Sequence, residues 1–131
     1  MEANYVFLDQ ANNISAEEIN VFLILERLFK GLAEKDRLVL DEIIADDSEL
    51  FRLFSPEKEN KYTYITNITS SDNKIRRNLF RYKNVTIEVY DNSALALGTF
   101  FNLEKPFNTV SLHIYLSNRN GRWLITGNRF L

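Results

Sequence analysis

Val110-Ser111-Leu112-His113-Ile114-Tyr115-Leu116, closed by Asn120-Gly121-Arg122-Trp123-Leu124-Ile125, is the stretch that decides the fold. Val110, Leu112, Ile114 and Leu116 alternate with Ser111, His113 and Tyr115, the period-two pattern of a strand with one buried face. Asn120-Gly121 tolerates the positive φ of a two-residue type I′ turn, so the chain doubles back there. Trp123 and Ile125 restart the alternation. In such a hairpin Arg119 pairs with Arg122, and uninterrupted counting sets Thr126 opposite Tyr115 and Asn128 opposite His113.

Upstream the same signal recurs. Val85, Ile87 and Val89 alternate with Thr86, Glu88 and Tyr90, and Asp91-Asn92-Ser93 reads as a turn. Leu95 and Leu97 alternate with Ala94, Ala96 and Gly98 ahead of Phe100 and Phe101, and Pro106 marks a break. The β pattern starts at Ile75, but the run from Lys74 to Lys83 does not hold phase. With Val85 facing the core, strict alternation puts Arg77 and Arg81 on the core face too. A bulge near Lys83-Asn84 removes the conflict and bends the strand. Long bent strands predict a strongly curved, mostly antiparallel sheet.

The N-terminal half is helical. After a lead-in over residues 1–14, Ser15-Ala16-Glu17-Glu18 forms a capping box, in which Glu18 is expected to reach back to the Ser15 amide. Ile19, Phe22, Leu23, Leu25, Leu28, Phe29 and Leu32 then build an apolar face that Val21 and Ile24 widen, with Glu26, Lys30 and Glu34 opposite. So wide a face predicts contact with both a sheet and another helix. Asp36 caps a shorter helix through Leu38, Leu40, Ile43 and Ile44, and Asp46-Asp47-Ser48 is expected to stop it. Glu49 to Ser55 reads as a strand, residues 56–60 as a turn and residues 61–69 as a short helix.

The chain has 131 residues, 45% hydrophobic and 26% charged, enough for one domain over 15–131 with its own core. A net charge of −2 gives no electrostatic case for nucleic acid or an anionic membrane. Without cysteine there is neither a disulfide framework nor a thiolate metal site. No metal-ligand spacing and no cofactor-binding loop is present. The N-terminus lacks a basic region and a long apolar run, so the expectation is a cytoplasmic protein that no membrane holds. Triplets of the Asn-x-Ser/Thr kind at Asn13, Asn67 and Asn84 are read as chance.

The order helix, helix, short strand, short helix, long antiparallel strands resembles the cone-shaped α+β fold of the nuclear transport factor 2-like superfamily, the SnoaL-like and ketosteroid-isomerase-like cystatin cone. Leu32 to Leu40 followed by Ile44-Ala45-Asp46-Asp47 is similar to its helix-turn-helix entry. Val89-Tyr90-Asp91-Asn92-Ser93-Ala94-Leu95-Ala96-Leu97-Gly98 resembles its Gly-Asp-x-Ala hairpin, and Asn120 to Ile125 its closing Asp-Gly-x-Trp-x-Ile strand. Lys35-Asp36 and Asp91-Asn92 depart from it where Gly-Asp is common. The resemblance implies helices packed on the concave face of the sheet, with a pocket between them. Its members bind small molecules there, catalyse isomerisation, dehydration or cyclisation, or serve as association modules, and many are homodimers joined through the sheet.

Three readings follow. A small-molecule-binding domain would hold an apolar or carboxylate-bearing ligand, with Arg129, Trp123, Tyr62 and Tyr64 as candidate ligand-binding residues. Arg129 qualifies because it counts in phase with Trp123 and Ile125, though a solvated strand end is its plainer reading, as core or lid packing is for Tyr62 and Tyr64. An isomerase- or dehydratase-type enzyme would use His113, Tyr115 and Glu88 as its acid–base set, His113 being the sole histidine. Against that, the aliphatic face of the same strands should be the buried one, which leaves His113 on the outer face. An association module would use that mixed face to dimerise, and a cone filled by phenylalanine would favour it. Two further features have plain explanations. Asp46-Asp47 is read as turn chemistry, and the basic run Lys74 to Lys83 as a solvated edge strand.

Overall fold

The first helix begins where the capping box places it. In the computed structural model, which describes residues 4–9, 14–70 and 74–131, α1 spans Ala16–Glu34. The Asn13 triplet and part of the lead-in lie outside the described residues. Ser15 Oγ accepts from the Glu18 amide at 3.1 Å, and the Glu18 carboxylate accepts from the Ser15 hydroxyl rather than from its amide. Lys35 closes the helix at φ 52°, its amide on the Gly31 and Leu32 carbonyls, so it performs the left-handed cap usual for glycine.

Asp36 Oδ1 then accepts from the Val39 amide and starts α2, Arg37–Ile43. The chain passes directly from α2 into β2, Ile44–Phe51. Asp46-Asp47-Ser48 is therefore strand, not a helix-stopping turn. β-Branched Ile44 takes extended backbone and pairs with Ile125, and the exposed Asp46 and Asp47 ion-pair with Lys61 at 2.9 Å and Arg119 at 2.7 Å. β3, Lys58–Asn60, returns antiparallel along β2 where a plain turn was expected. Asn60 caps α3, Lys61–Thr69, the short helix foreseen for that segment.

A 3₁₀ turn, Arg77–Leu79, leads into β4, Phe80–Tyr90, so the β structure starts later than Ile75. β5 is Ser93–Asn102, β6 is Lys105–Arg119 and β7 is Arg122–Phe130. Residues Val6–Leu8 of the lead-in form β1, parallel to β4. The Glu26 carboxylate holds the Tyr5 and Val6 amides at 2.8 to 3.3 Å, so Glu26 anchors β1 instead of facing solvent. The sheet order is β1-β4-β5-β6-β7-β2-β3, antiparallel except at β1/β4 and β2/β7. β4 is thus an inner strand, which corrects the edge-strand reading of the basic run. Pro106 lies inside β6, in a stretch without ladder partners that ends at Thr109. Among the described residues no helix is long and apolar enough to cross a membrane.

Two bulges shape the sheet. At Lys83-Asn84 the pairing slips, Asn84 takes φ 53°, and Tyr82 and Val85 both end up buried. In β7, Leu116 pairs with Ile125 but Tyr115 pairs with Gly127, so Thr126 is one residue too many. The concave face carries Val85, Leu112, Ile114, Leu116, Trp123 and Ile125, all buried, as the alternation predicts. Small Ala94, Ala96 and Gly98 face the same way on β5. Gly98 is required: a Cβ there would stand 2.7 Å from the Tyr82 ring, which crosses β5 so that its hydroxyl can donate to the Leu112 carbonyl at 2.6 Å. Phe29 of α1 stacks on that ring at 5.6 Å, and Phe100 joins it to Phe80 and Phe130.

Candidate functional site

Between α1, α3 and the concave face lies a cavity of about 40 Å³. Leu28, Phe29, Ile68, Phe100, Leu112 and Ile114 give it apolar walls, and Arg52, Tyr64, Arg77 and Asn128 are its polar lining. Space for one water is roughly 10–15 Å³, so the cavity admits a group of about three or four heavy atoms. Leu53, Ile75, Phe80 and Phe100 separate it from a surface groove of about 620 Å³, which Phe54, Phe101 and Val110 also line. Phe54 holds φ 66° at the tip of the loop over this boundary, a conformation uncommon for an aromatic residue.

Each polar group arrives by a separate structural route. Tyr64 comes from the buried face of α3. Tyr62, two residues earlier, points to the opposite side of the helix and is exposed, because two positions turn a helix by about 200°. Arg77 comes from the 3₁₀ turn ahead of β4 and is only 6% exposed. Its guanidinium donates to the Ile68 carbonyl at 3.4 Å, and among the described residues no carboxylate pairs with it. Loss of hydration lowers its pKa, with Tyr64 acting in the opposite sense. Arg52 follows β2 and is neutralised: its Nε meets Glu59 Oε1 at 2.9 Å, while Glu59 Oε2 accepts from Asn67 at 2.6 Å. Burial pushes the Tyr64 phenol up to about 12, so near neutral pH it is an uncharged donor.

Asn128 is the product of the β7 bulge. The extra residue moves it opposite Ile114, not His113, and so onto the concave face, where its side-chain amide brackets the Phe51 backbone at 2.7 and 3.1 Å. The same slip sends Arg129 outward, opposite His113. The expectation that Arg129 keeps phase with Trp123 and Ile125 fails for this one reason: alternation reverses across an inserted residue. Arg129 is exposed and lines a surface groove of about 630 Å³ that shares Phe51, Arg52, Leu53 and Phe130 with the cavity. Trp123 is buried, but away from the cavity, with its indole N–H on Glu17 at 2.9 Å, where it ties the first turn of α1 to β7.

His113, Tyr115 and Glu88 all lie on the convex face. One row across it runs Thr86, Leu97, His113, Arg129, and the next runs Glu88, Leu95, Tyr115, Gly127. Glu88 and Tyr115 are two strands apart, about 10 Å between backbones. None of the three side chains hydrogen-bonds another among the described residues. Nor does any group of three or more histidine and carboxylate side chains there converge on a metal-sized point. Of the ligand-binding candidates named from sequence, Tyr64 lines the cavity; Arg52, Arg77 and Asn128 also line it and were not named for it. Strict alternation from Val85 points Arg77 inward, but Arg77 precedes β4, so the agreement is a coincidence and not a signal. The bulge relieves that count only for Arg81, which turns out over the Tyr5 ring at 4.8 Å.

No protein-family model matches the chain, and no curated protein matches it. Solved structures do. An NTF2-like protein of unknown function from Pseudomonas putida superposes with a TM-score of 0.68 at 15% identity, covering 88% of this chain and 85% of that one. A candidate calcium/calmodulin-dependent protein kinase II association domain from Xanthomonas campestris gives 0.68 at 16%, covering 98% and 96%. A candidate ketosteroid isomerase from Shewanella frigidimarina gives 0.68 at 12%, covering 95% and 99%. At such identities the likeness is one of fold: the chain has the cystatin-like, NTF2-like α+β cone.

Proposed function

We propose that the chain is a small-molecule-binding domain whose ligand sits in the cone. The observation that carries this is the cavity lining, in which convergent polar side chains from α3, the 3₁₀ turn and β7 break an otherwise apolar wall. Sites for small ligands are built this way. The enclosed part takes only the head of a ligand, and the remainder lies past Leu53 and Ile75 in the adjoining groove. A protein-observed NMR screen with small apolar probes tests it. Shifts should cluster on Leu53, Tyr64, Ile68 and Asn128, and Leu53→Trp should suppress them. Shifts confined to the convex face, or binding indifferent to Leu53→Trp, would sink the reading.

Convex-face apolar residues favour a second reading, that of a homodimer. Leu95 and Leu97 point outward beside Tyr115, which is 38% exposed, and half-buried Leu124 lies on the same face. The likeness to a candidate association domain adds support. An acid–base role for His113, Tyr115 and Glu88 would belong to this surface, enclosed by the second copy. Sedimentation should give a dimer that the double variant Leu97→Glu, Tyr115→Lys dissociates. A monomeric wild-type chain at high micromolar concentration rules the dimer out.

A further inference from the structure

The charges around the cavity do not balance. Arg52 and Arg77 line it, and among the described residues the one carboxylate joined to either is Glu59, which Arg52 and Asn67 occupy on its two oxygens. That leaves one positive charge, on Arg77, a residue only 6% exposed whose guanidinium has one 3.4 Å bond from its five donors. A charge withdrawn from water without a partner is strongly unfavourable. Among the described residues no carboxylate answers it, and none hydrogen-bonds the Tyr64 hydroxyl, which shares the same lining.

Resting on the cone as the ligand site, we propose that the ligand is a monocarboxylate with an apolar tail, its carboxylate seated on Arg77 and the Tyr64 hydroxyl. The size of the enclosed space suits that head group. About three water volumes accommodate a planar carboxylate and the start of a chain. A guanidinium fork matches the two carboxylate oxygens, and the phenol supplies a neutral third donor. One surplus positive charge is cancelled by a monoanion, whereas a phosphate dianion would leave a buried negative charge behind. Beyond the head, Leu53, Phe54, Ile75, Phe101 and Val110 offer an apolar path outward for the tail.

The test titrates the chain with hexanoate, hexanamide and inorganic phosphate by calorimetry, in wild type, Arg77→Gln and Tyr64→Phe. Hexanoate should bind about tenfold or more tightly than hexanamide, the difference expected for a charge-assisted bond in a buried site. Arg77→Gln should erase that preference, Tyr64→Phe should weaken hexanoate several-fold, roughly the worth of one hydrogen bond, and phosphate should not displace it. The hexanoate-to-hexanamide ratio in the wild-type chain needs no variant to fold. Equal binding of the two overturns the carboxylate assignment and leaves the ligand site standing. Displacement by phosphate, or hexanoate binding unchanged in Arg77→Gln, also overturns the assignment. Binding of neither organic probe overturns the assignment and counts against the ligand site as well.

Discussion

The regions around Tyr82 and around Tyr64 belong to one interior but treat buried polarity in opposite ways. Tyr82 is fully buried, donates to the Leu112 carbonyl, stacks on Phe29 and fits a gap that Gly98 leaves for it. At the far end of α1 the Trp123 indole N–H likewise ends on a partner of the fold, Glu17. Around Tyr64 the polar groups outnumber their partners: the phenol faces the cavity and the Arg77 guanidinium has one long bond. A buried polar group that the fold answers for itself stabilises and specifies a core, whereas one left unanswered marks a place where something else supplies the partner. The first region is therefore the structural half of the cone and the second its functional half.

The largest effect expected is at Phe29, which packs on the Tyr82 ring and also walls the cavity, where the two halves meet. Phe29→Ala removes the ring that Tyr82 and Phe100 pack against, and should lower unfolding free energy in urea by about 3–5 kcal/mol. A loss under about 1 kcal/mol would mean that the Tyr82 side of Phe29 is no better packed than its cavity side, and the contrast would collapse.

Alkaline pH acts on both halves together. Burial raises the pKa of Tyr64 to about 12 and that of Tyr82 further still. In the unfolded chain tyrosine ionises near 10, so the stabilising difference is intact below about pH 10 and is lost as pH climbs toward the folded-state values. Each phenol should cost about 1.4 kcal/mol per pH unit, so the fall between pH 10 and 11 should be about 2–3 kcal/mol. Phenolate absorbance from these two rings should emerge only with unfolding. Tyr64→Phe should halve the slope, and an unchanged slope would show that Tyr64 is open to solvent.

Arg77→Met should move stability the other way. Removing a buried charge that lacks a partner, while keeping its apolar volume, should raise unfolding free energy by about 1–2 kcal/mol in the absence of ligand. A destabilised variant would show that the fold itself pairs Arg77, and the distinction between the two halves would fail there.

The structural half was legible in sequence and the functional half mostly was not. Alternation along Val110 to Leu116, the Asn120-Gly121 turn and the Ser15 and Asp36 caps are local signals, and each sits in the structure as read. The site depends on departures from local rules. Asn128 faces inward and Arg129 outward because one residue, Thr126, is inserted in β7, and nothing in its side chain announces a bulge. Arg77 is buried because it precedes β4 in a 3₁₀ turn, where strand phase has no authority. Tyr62 and Tyr64 read alike in sequence, and it is the turn of α3 that puts one in solvent and the other in the cavity lining. The helix stop expected at Asp46-Asp47-Ser48 falls sooner, after Ile43, because Ile44 pairs with β7 and the aspartates continue the strand.

The smallest difference is the most direct measure of the contrast, because the same atom is deleted in both halves. Tyr82→Phe removes a hydroxyl whose 2.6 Å bond leaves the Leu112 carbonyl without that donor in a site from which water is excluded. That should lower unfolding free energy by about 1–2 kcal/mol. Tyr64→Phe removes a hydroxyl that no described residue meets, from a wall that faces a cavity, and should change stability by less than about 0.5 kcal/mol. The two rings are both buried and both replaced by phenylalanine, so transfer of the ring cancels in the comparison and only the hydroxyl's partner differs. Adding hexanoate should then separate them in reverse. The stabilisation a ligand gives grows with its affinity, so Tyr64→Phe should gain less from hexanoate than wild type and Tyr82→Phe should gain as much. If the two variants lose equally and respond equally, Tyr64 is ordinary core and the division of the cone into a self-satisfied half and a ligand-seeking half is wrong.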